Sequence, residues 1–229
     1  MEQTHEQFIH STFDHLDTTA KEITAALTRG NCRHGFIGGY AVSLVGGMRM
    51  TDDVDILVDA DPADVRNLLL QVPGFQLSQS NNLVFTRDQG TIRVEILRGG
   101  RNRPSRLPDA SSVPLYHVSA SDLPGRVGDV PIPIVHPSVL VLTKIKRWAF
   151  IAESTRPQSN RKARGDFEDI TAILNWLARK NLHIYFTNYP EKSRDDLLSW
   201  VRKLYELHTT VRALLEITME AQDFALIRN

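Results

Sequence analysis

Gly38-Gly39-Tyr40-Ala41-Val42-Ser43-Leu44-Val45-Gly46-Gly47-Met48-Arg49-Met50-Thr51-Asp52-Asp53-Val54-Asp55-Ile56 changes its residue pattern twice within nineteen positions. It follows the short apolar run Gly35-Phe36-Ile37, which reads as a strand. Gly38-Gly39 then reads as a tight turn, residues 40–45 as a short helix, and Gly46-Gly47 as its end. Residues 54–58 are β-rich, and side chains alternate along a strand. Asp53 and Asp55 therefore project to one side, and Val54, Ile56 and Val58 to the other. Two carboxylates so placed repel each other, an arrangement tolerated mainly with a divalent cation between them. Hard oxygen donors indicate Mg²⁺ or Mn²⁺. Glycines between a strand and a helix let an anion approach the backbone N–H groups, and phosphate is the natural guest.

The same alternation recurs at Thr91-Ile92-Arg93-Val94-Glu95-Ile96-Leu97, where Ile92, Val94 and Ile96 share one face and Glu95 takes the other. On a neighbouring strand, Glu95 supplies a third carboxylate. A strand over 83–86 precedes it across the turn Asp88-Gln89-Gly90, and Asp61-Pro62 starts a helix that runs to Leu70. Upstream, Phe13, Leu16, Ala20, Ile23 and Leu27 recur at spacings of three and four, an amphipathic helix ending near Gly30. Seven of the eleven prolines fall within 99–137, a region of loops and short extended pieces. Beyond it the pattern is helical, over 138–152, 165–180, 193–207 and 209–222, with a polar, basic loop at 153–164. The expected architecture is α/β (α+β), a mixed β-sheet flanked by helices over 1–136 followed by a C-terminal helical subdomain over 137–229. A phosphate cradle beside a three-carboxylate metal site is the equipment of in-line nucleotidyl transfer.

The segment resembles the signature of the polymerase β-like nucleotidyltransferase superfamily: a Gly-Gly turn, about a dozen residues, an Asp-x-Asp strand and a third carboxylate on a later strand. Here Gly38-Gly39 precedes Asp53-Val54-Asp55 by thirteen residues, with Glu95 in the third place. The further run Gly-Gly-Tyr-Ala, Gly-x-Arg-x-Thr, Asp-x-Asp is similar to small single-chain members, including those resembling abortive-infection toxin nucleotidyltransferases. The resemblance implies that Asp53, Asp55 and Glu95 are catalytic and bind Mg²⁺ or Mn²⁺. It further implies that Gly38 and Gly39 hold the triphosphate and that Arg49 and Thr51 support the nucleotide or order the turn. The motif spans residues 36–97, under a third of the chain.

In the helical half, Leu140, Val141, Ile145, Trp148, Ile151 and Ala152 form one face, with Lys144 in its middle and Lys146 pointing away. Phe167, Ile170, Ile173, Leu174 and Leu177 define the inner face of the next helix, with Asp166 on it and Asp169 at its edge. Asp166-Phe167-Glu168-Asp169-Ile170 resembles the Asp-x-x-Asp-Ile segment of small family members, in which a lysine usually precedes the first aspartate; here Gly165 stands there, and Arg164 or Lys144 is left to replace it. Lys144 and Asp166 thus join the candidate nucleotide-binding residues. Lys144 either contacts phosphate or pairs with Asp166.

Composition limits the alternatives. With 229 residues, 41% of them hydrophobic, the chain buries a core without staples. Equal counts of 27 basic and 27 acidic residues leave no whole-molecule field to recruit nucleic acid or lipid. Arg98, Arg101, Arg103 and Arg106, with Arg156, Arg161, Lys162 and Arg164, line an RNA path or form solvated loops, the second being favoured by that neutrality. The single Cys32 excludes an intramolecular disulfide, and no disulfide-linked partner is expected. Neither a basic segment leading into an apolar core nor a run of 18 apolar residues occurs, so the expectation is a soluble, cytoplasmic protein without a membrane partner. The expected activity is transfer of NMP from an NTP donor to an acceptor, with a small molecule, a protein and a tRNA all left open, and with release of pyrophosphate. The competing reading is a nucleotide-binding regulator or scaffold of the same fold without turnover.

Overall fold

The computed structural model describes residues 5–88, 90–123 and 125–228, with side chains described from Phe13 onward. Among these residues a mixed seven-stranded sheet is flanked by helices, the α/β architecture expected. Helix α1 (His5–Arg29) leads into β1 (His34–Ile37), α2 (Gly38–Ser43) and β2 (Asp53–Val58). Then come α3 (Pro62–Leu69), β3 (Phe75–Leu77), β4 (Leu83–Arg87) and β5 (Gly90–Leu97). The proline-rich region holds β6 (Leu115–Val118) and β7 (Ile132–Val135). Helices α4 (Pro137–Ile151), α5 (Pro157–Arg179), α6 (Arg194–Leu207), α7 (Arg212–Thr218) and α8 (Ala221–Arg228) complete the chain.

The spatial order is β3-β4-β5-β2-β1-β7-β6. β2 runs parallel to β5 and β1 parallel to β7, and the other neighbours are antiparallel. The apolar stripe of α1 packs on β2, β5 and β7: Leu16, Ala20, Ile23 and Leu27 are buried together with Val54 and Ile56. Beside them, Arg126 donates to both Asp17 carboxylate oxygens at 2.9 Å, and the Tyr40 hydroxyl donates to Asp17 Oδ1 at 3.0 Å. Arg126 also donates to the Ser43 carbonyl and hydroxyl, so one ion pair ties α1 to the middle and the C-terminal end of α2.

Three expectations are corrected. Residues 157–164 are helical, since α5 starts at Pro157. Proline suits the first helical position, and Gln, Arg and Lys are sound helix formers; the segment reads as polar because most of it faces solvent. The single helix over 209–222 is instead α7 and α8, parted where Met219 takes extended angles (φ −115°, ψ 149°). There the Thr218 carbonyl accepts from Ile184 N at 2.7 Å and stitches the break to the preceding loop. Finally, α4 is buried over more than one face: Val139 and Leu142 are covered as fully as Leu140 and Val141, because α4 packs against β7, α5 and α6 together.

Candidate active site

Parallel pairing of β2 with β5 sets Asp53 opposite Arg93 and Asp55 opposite Glu95. Side chains at paired positions project from the same face, so a two-by-two array of three carboxylates and one guanidinium stands on one side of the sheet. Val54, Ile56, Ile92 and Val94 point the other way, into the core. Arg93 donates to Asp53 Oδ2 at 3.0 Å and lies 3.8 Å from Glu95 Oε2. Thr51 Oγ1 donates to Asp53 Oδ1 at 2.9 Å, giving both oxygens of Asp53 a partner. Asp55 differs: burial, then the neighbouring Asp53 and Glu95 charges, push its carboxyl up to about 6, only partly offset by Lys144 and Arg147.

The turn is shaped by what the glycines lack. Gly38 has φ +78°, and a methyl group there would overlap the Asp55 carboxylate. A Cβ on Gly39 would lie 2.7 Å from Thr51 Oγ1 and 2.9 Å from Arg49 Nη2. The turn, the Arg49–Thr51 segment and the Asp55 strand therefore close on one another at backbone distance.

Arg49 reaches across to α5, where Nε and Nη2 each donate to Asp169 at 3.1 Å. Gly165 eases this crossing, since a Cβ there would crowd Arg49 Cδ at 3.1 Å. Lys144 also donates to Asp169, at 2.6 Å, and stands 4.0 Å from Asp166 Oδ1. Arg147 closes the network with two hydrogen bonds to Asp166. Asp166 and Asp169 are both buried, so these carboxylates are neutralised by three cations, a net excess of one positive charge. Burial draws the Lys144 ammonium down from its ordinary range against the pull of Asp169, whereas hydrogen bonds to Asp169 and Asp166 hold Arg49 and Arg147 charged.

The array opens on a cavity of about 620 Å³. Of the residues singled out in the sequence, Gly39, Arg49, Thr51, Asp53, Asp55, Glu95 and Asp166 line it, while Gly38 and Lys144 line an adjoining chamber. Arg161 and Lys162, expected on a loop, reach the cavity from the first turns of α5. Sequence reading passed over Arg93 and Arg147, although each carried a signal. Arg93 stands two residues before Glu95 on the same strand, and Arg147 three residues after Lys144 on the same helix.

The donors fit a hard divalent cation in kind, being carboxylate oxygens on one face with Asp55 held against two like charges. Among the described residues no three such groups stand close enough to enclose an ion as they are. The Arg93 guanidinium between Asp53 and Glu95 supplies the countercharge.

No family model matches the sequence, and no curated protein matches it. Among solved structures, an antigenic nucleotidyltransferase-like protein from Paracoccidioides brasiliensis aligns over 96% of this chain and 98% of its own, with TM-score 0.69 and 17% identity. This likeness defines the chain as a protein of nucleotidyltransferase-like fold. The antibiotic-resistance factor ANT(2'')-Ia also aligns, over 73% of this chain and 94% of its own at 12% identity and TM-score 0.40. The same factor in complex with adenylyl-2''-tobramycin aligns over 72% and 98%, again at 12% identity and 0.40. Among the described residues no helix is long and apolar enough to cross a membrane.

Proposed function

We propose that the chain transfers NMP from an NTP to the hydroxyl of an acceptor, releasing pyrophosphate. The observation that supports this most is the pairing of Asp53-x-Asp55 with Glu95 on one sheet face, at the wall of a cavity whose other walls are Gly39, Arg49, Arg147, Arg161 and Lys162. Cations around carboxylates are what a triphosphate and its counter-ion require of a site. Asp53, Asp55 and Glu95 would hold Mg²⁺ or Mn²⁺, whose chemistry is to draw charge from the reacting phosphate oxygens. Gly38 lets the turn sit against Asp55, and Gly39 brings it to the cavity wall, where the turn would hold the triphosphate. Arg49 and Arg147, fixed by Asp169 and Asp166, hold positive charge toward the cavity at no further ordering cost. Lys144 adds its charge from behind. Glu95 takes the acceptor proton as the new P–O bond forms and the bond to the leaving pyrophosphate breaks. The narrower kinship with abortive-infection toxin enzymes rests on the motif at 38–55.

Arg93 favours a second reading, a nucleotide-binding regulator or scaffold, because its guanidinium already pairs with Asp53 and Glu95, two of the three carboxylates that a metal would join. Incubating the protein with each α-labelled NTP, Mg²⁺ or Mn²⁺ and a cell extract separates the two. Label transfer to an acceptor supports the enzyme. A thermal shift with NTP and metal without label transfer supports the regulator, and neither signal with any of the four NTPs overturns both.

A further inference from the structure

Beyond Asp55 lies a second chamber of about 360 Å³, which shares Asp55, Leu97, Leu107 and Arg147 with the polar cavity. Its character is different. Ile37, Leu97, Leu107, Phe150 and Ile151 supply apolar walls. Phe150 is 70% exposed, a large apolar surface left to water, and its ring lies 5.6 Å from that of Trp200. A concave apolar site with a few polar groups at its edge is the form of a small-molecule pocket.

Of the charged residues that line it, Asp55 stands at the junction with the polar cavity, and Lys144, Lys146 and Arg147 are cations. Lys144 and Arg147 are already matched by Asp169 and Asp166, but Lys146 is not. Its ammonium donates to the carbonyls of Ser105 and Arg106 and lies 3.4 Å from the Tyr189 hydroxyl, all uncharged partners. Burial, with Lys192 and Arg106 close by, pushes it down to about 8. Among the described residues none of Lys146, Arg106 and Lys192 is in an ion pair. Of the three, Lys146 alone lines the chamber, and an ammonium without a carboxylate partner at the edge of an apolar slot is complementary to an anion with an apolar body.

We propose, resting on the nucleotidyl-transfer reading, that this chamber seats the acceptor, and that the acceptor is a small hydroxyl-bearing anion with a flat apolar body. The body lies between Leu97, Leu107 and Phe150, the anionic group faces Lys146, and the hydroxyl meets the nucleotide at Asp55, where the two spaces join. In the transfer the hydroxyl oxygen forms a bond to the α-phosphorus. The bond from that phosphorus to the β-phosphate oxygen breaks, pyrophosphate leaves with the electron pair, and the hydroxyl proton passes to Glu95, opposite Asp55 on the paired strand, and on to water. A neutral nucleobase would fill the slot but leave Lys146 uncompensated, so it is the rival occupant.

The test uses the full chain and a matched pair of probes, 3-(4-hydroxyphenyl)propionate and 3-(4-hydroxyphenyl)propylamine, titrated calorimetrically with and without ATP and Mg²⁺. The propionate is expected to bind at least about tenfold tighter than the amine, and Lys146→Met to weaken it by about tenfold, the scale of a lost charge-assisted contact. Phe150→Ser, at an exposed position, is expected to weaken it several-fold in folded protein. ATP binding should be the same in both variants, and ATP and propionate should bind together. Equal binding of amine and propionate, unchanged propionate affinity in the variants, or absence of propionate binding overturns the proposal. Competition between ATP and propionate overturns it in favour of the nucleobase. Failure of ATP to bind at all strikes the transfer reading instead, and the probe comparison still reports on the chamber by itself.

Discussion

At the scale of the residue, the two aspartates of one strand carry unlike burdens. Asp53 has Thr51 and Arg93 on its oxygens, whereas Asp55 is half-buried against two like charges and beneath Gly38. Replacing Asp55 by Asn relieves repulsion without opening a cavity, so the metal-free protein is expected to melt slightly higher at neutral pH. Asp53→Asn weakens a hydrogen-bonded pair that is half exposed on the Arg93 side, and is expected to cost about 0.5 to 1 kcal/mol. Both variants should lose label transfer. Melting curves of the two apo proteins beside the transfer assay check this, and full transfer by either variant would sink the mechanism. Arg93→Met should expose the carboxylates to one another, lowering the apo melting temperature and enlarging the upward shift produced by Mn²⁺ alone. An Mn²⁺ shift no larger than that of the wild type would mean that Arg93 is not the carboxylates' countercharge. The alternation of Asp53, Val54 and Asp55 was legible because strand parity needs only neighbours in sequence. The ion pairs of Arg93 and Arg147 were not, since a cation on a strand or helix reads the same whether its partner is water or a carboxylate far along the chain.

At the scale of the element, what sequence reading missed lies where composition and conformation disagree. The first two turns of α5 are basic and polar yet helical, and they carry Arg161 and Lys162 to the cavity. β6 lies among prolines and is a strand because β7 pairs with it, which no local pattern records. The edge of β6 is tied to the end of α5 by Asp122, which accepts from the Tyr116 hydroxyl at 2.8 Å, from Ser119 N at 3.1 Å and from Lys180 at 3.2 Å. Burial alone would raise the Asp122 carboxyl, but these hydrogen bonds, with one from the Ser119 hydroxyl, outweigh it and hold it down to about 2. A folded value below the unfolded one stabilises the native state above the ordinary carboxylate range, and that contribution is lost as the pH falls toward 2. Asp122→Asn should therefore destabilise the protein at pH 7 by about 1 to 2 kcal/mol, with the difference shrinking steadily in urea titrations taken from pH 5 downward. A difference independent of pH would show that the side chain acts through shape or neutral hydrogen bonds alone.

At the scale of the whole molecule, the change from sheet to helices near residue 137 divides two kinds of secondary structure within a shared core. Buried residues of the sheet and of α4 to α8 belong to one apolar cluster, running from Phe13 to Ile227. Val139, Leu140, Val141 and Leu142 are almost wholly covered, and Arg49 from the first half is fixed by Asp169 from the second. The change of pattern was legible from the prolines and the helical periods, but the sharing of one core was not, because periodicity shows which face is apolar and not what covers it. A fragment of residues 1–136 would leave the faces of β7 and α2 that meet α4 and α5 in water and would strand the Arg49 guanidinium without its carboxylate. Residues 137–229 would in turn keep Asp166 and Asp169 with only Lys144 and Arg147 as partners, on helices whose inner faces have lost the sheet. Neither fragment is expected to show a cooperative unfolding transition, since each buries too little of its apolar surface to offset the entropy of ordering the chain. Mixed, they are expected to recover one transition whose midpoint rises with concentration, as association coupled to folding requires. Calorimetry of each fragment and of the mixture at several concentrations checks this. A sharp, concentration-independent transition in fragment 1–136 alone would show a self-sufficient sheet domain, and Arg49 would then act on the cavity without the brace that Asp169 provides.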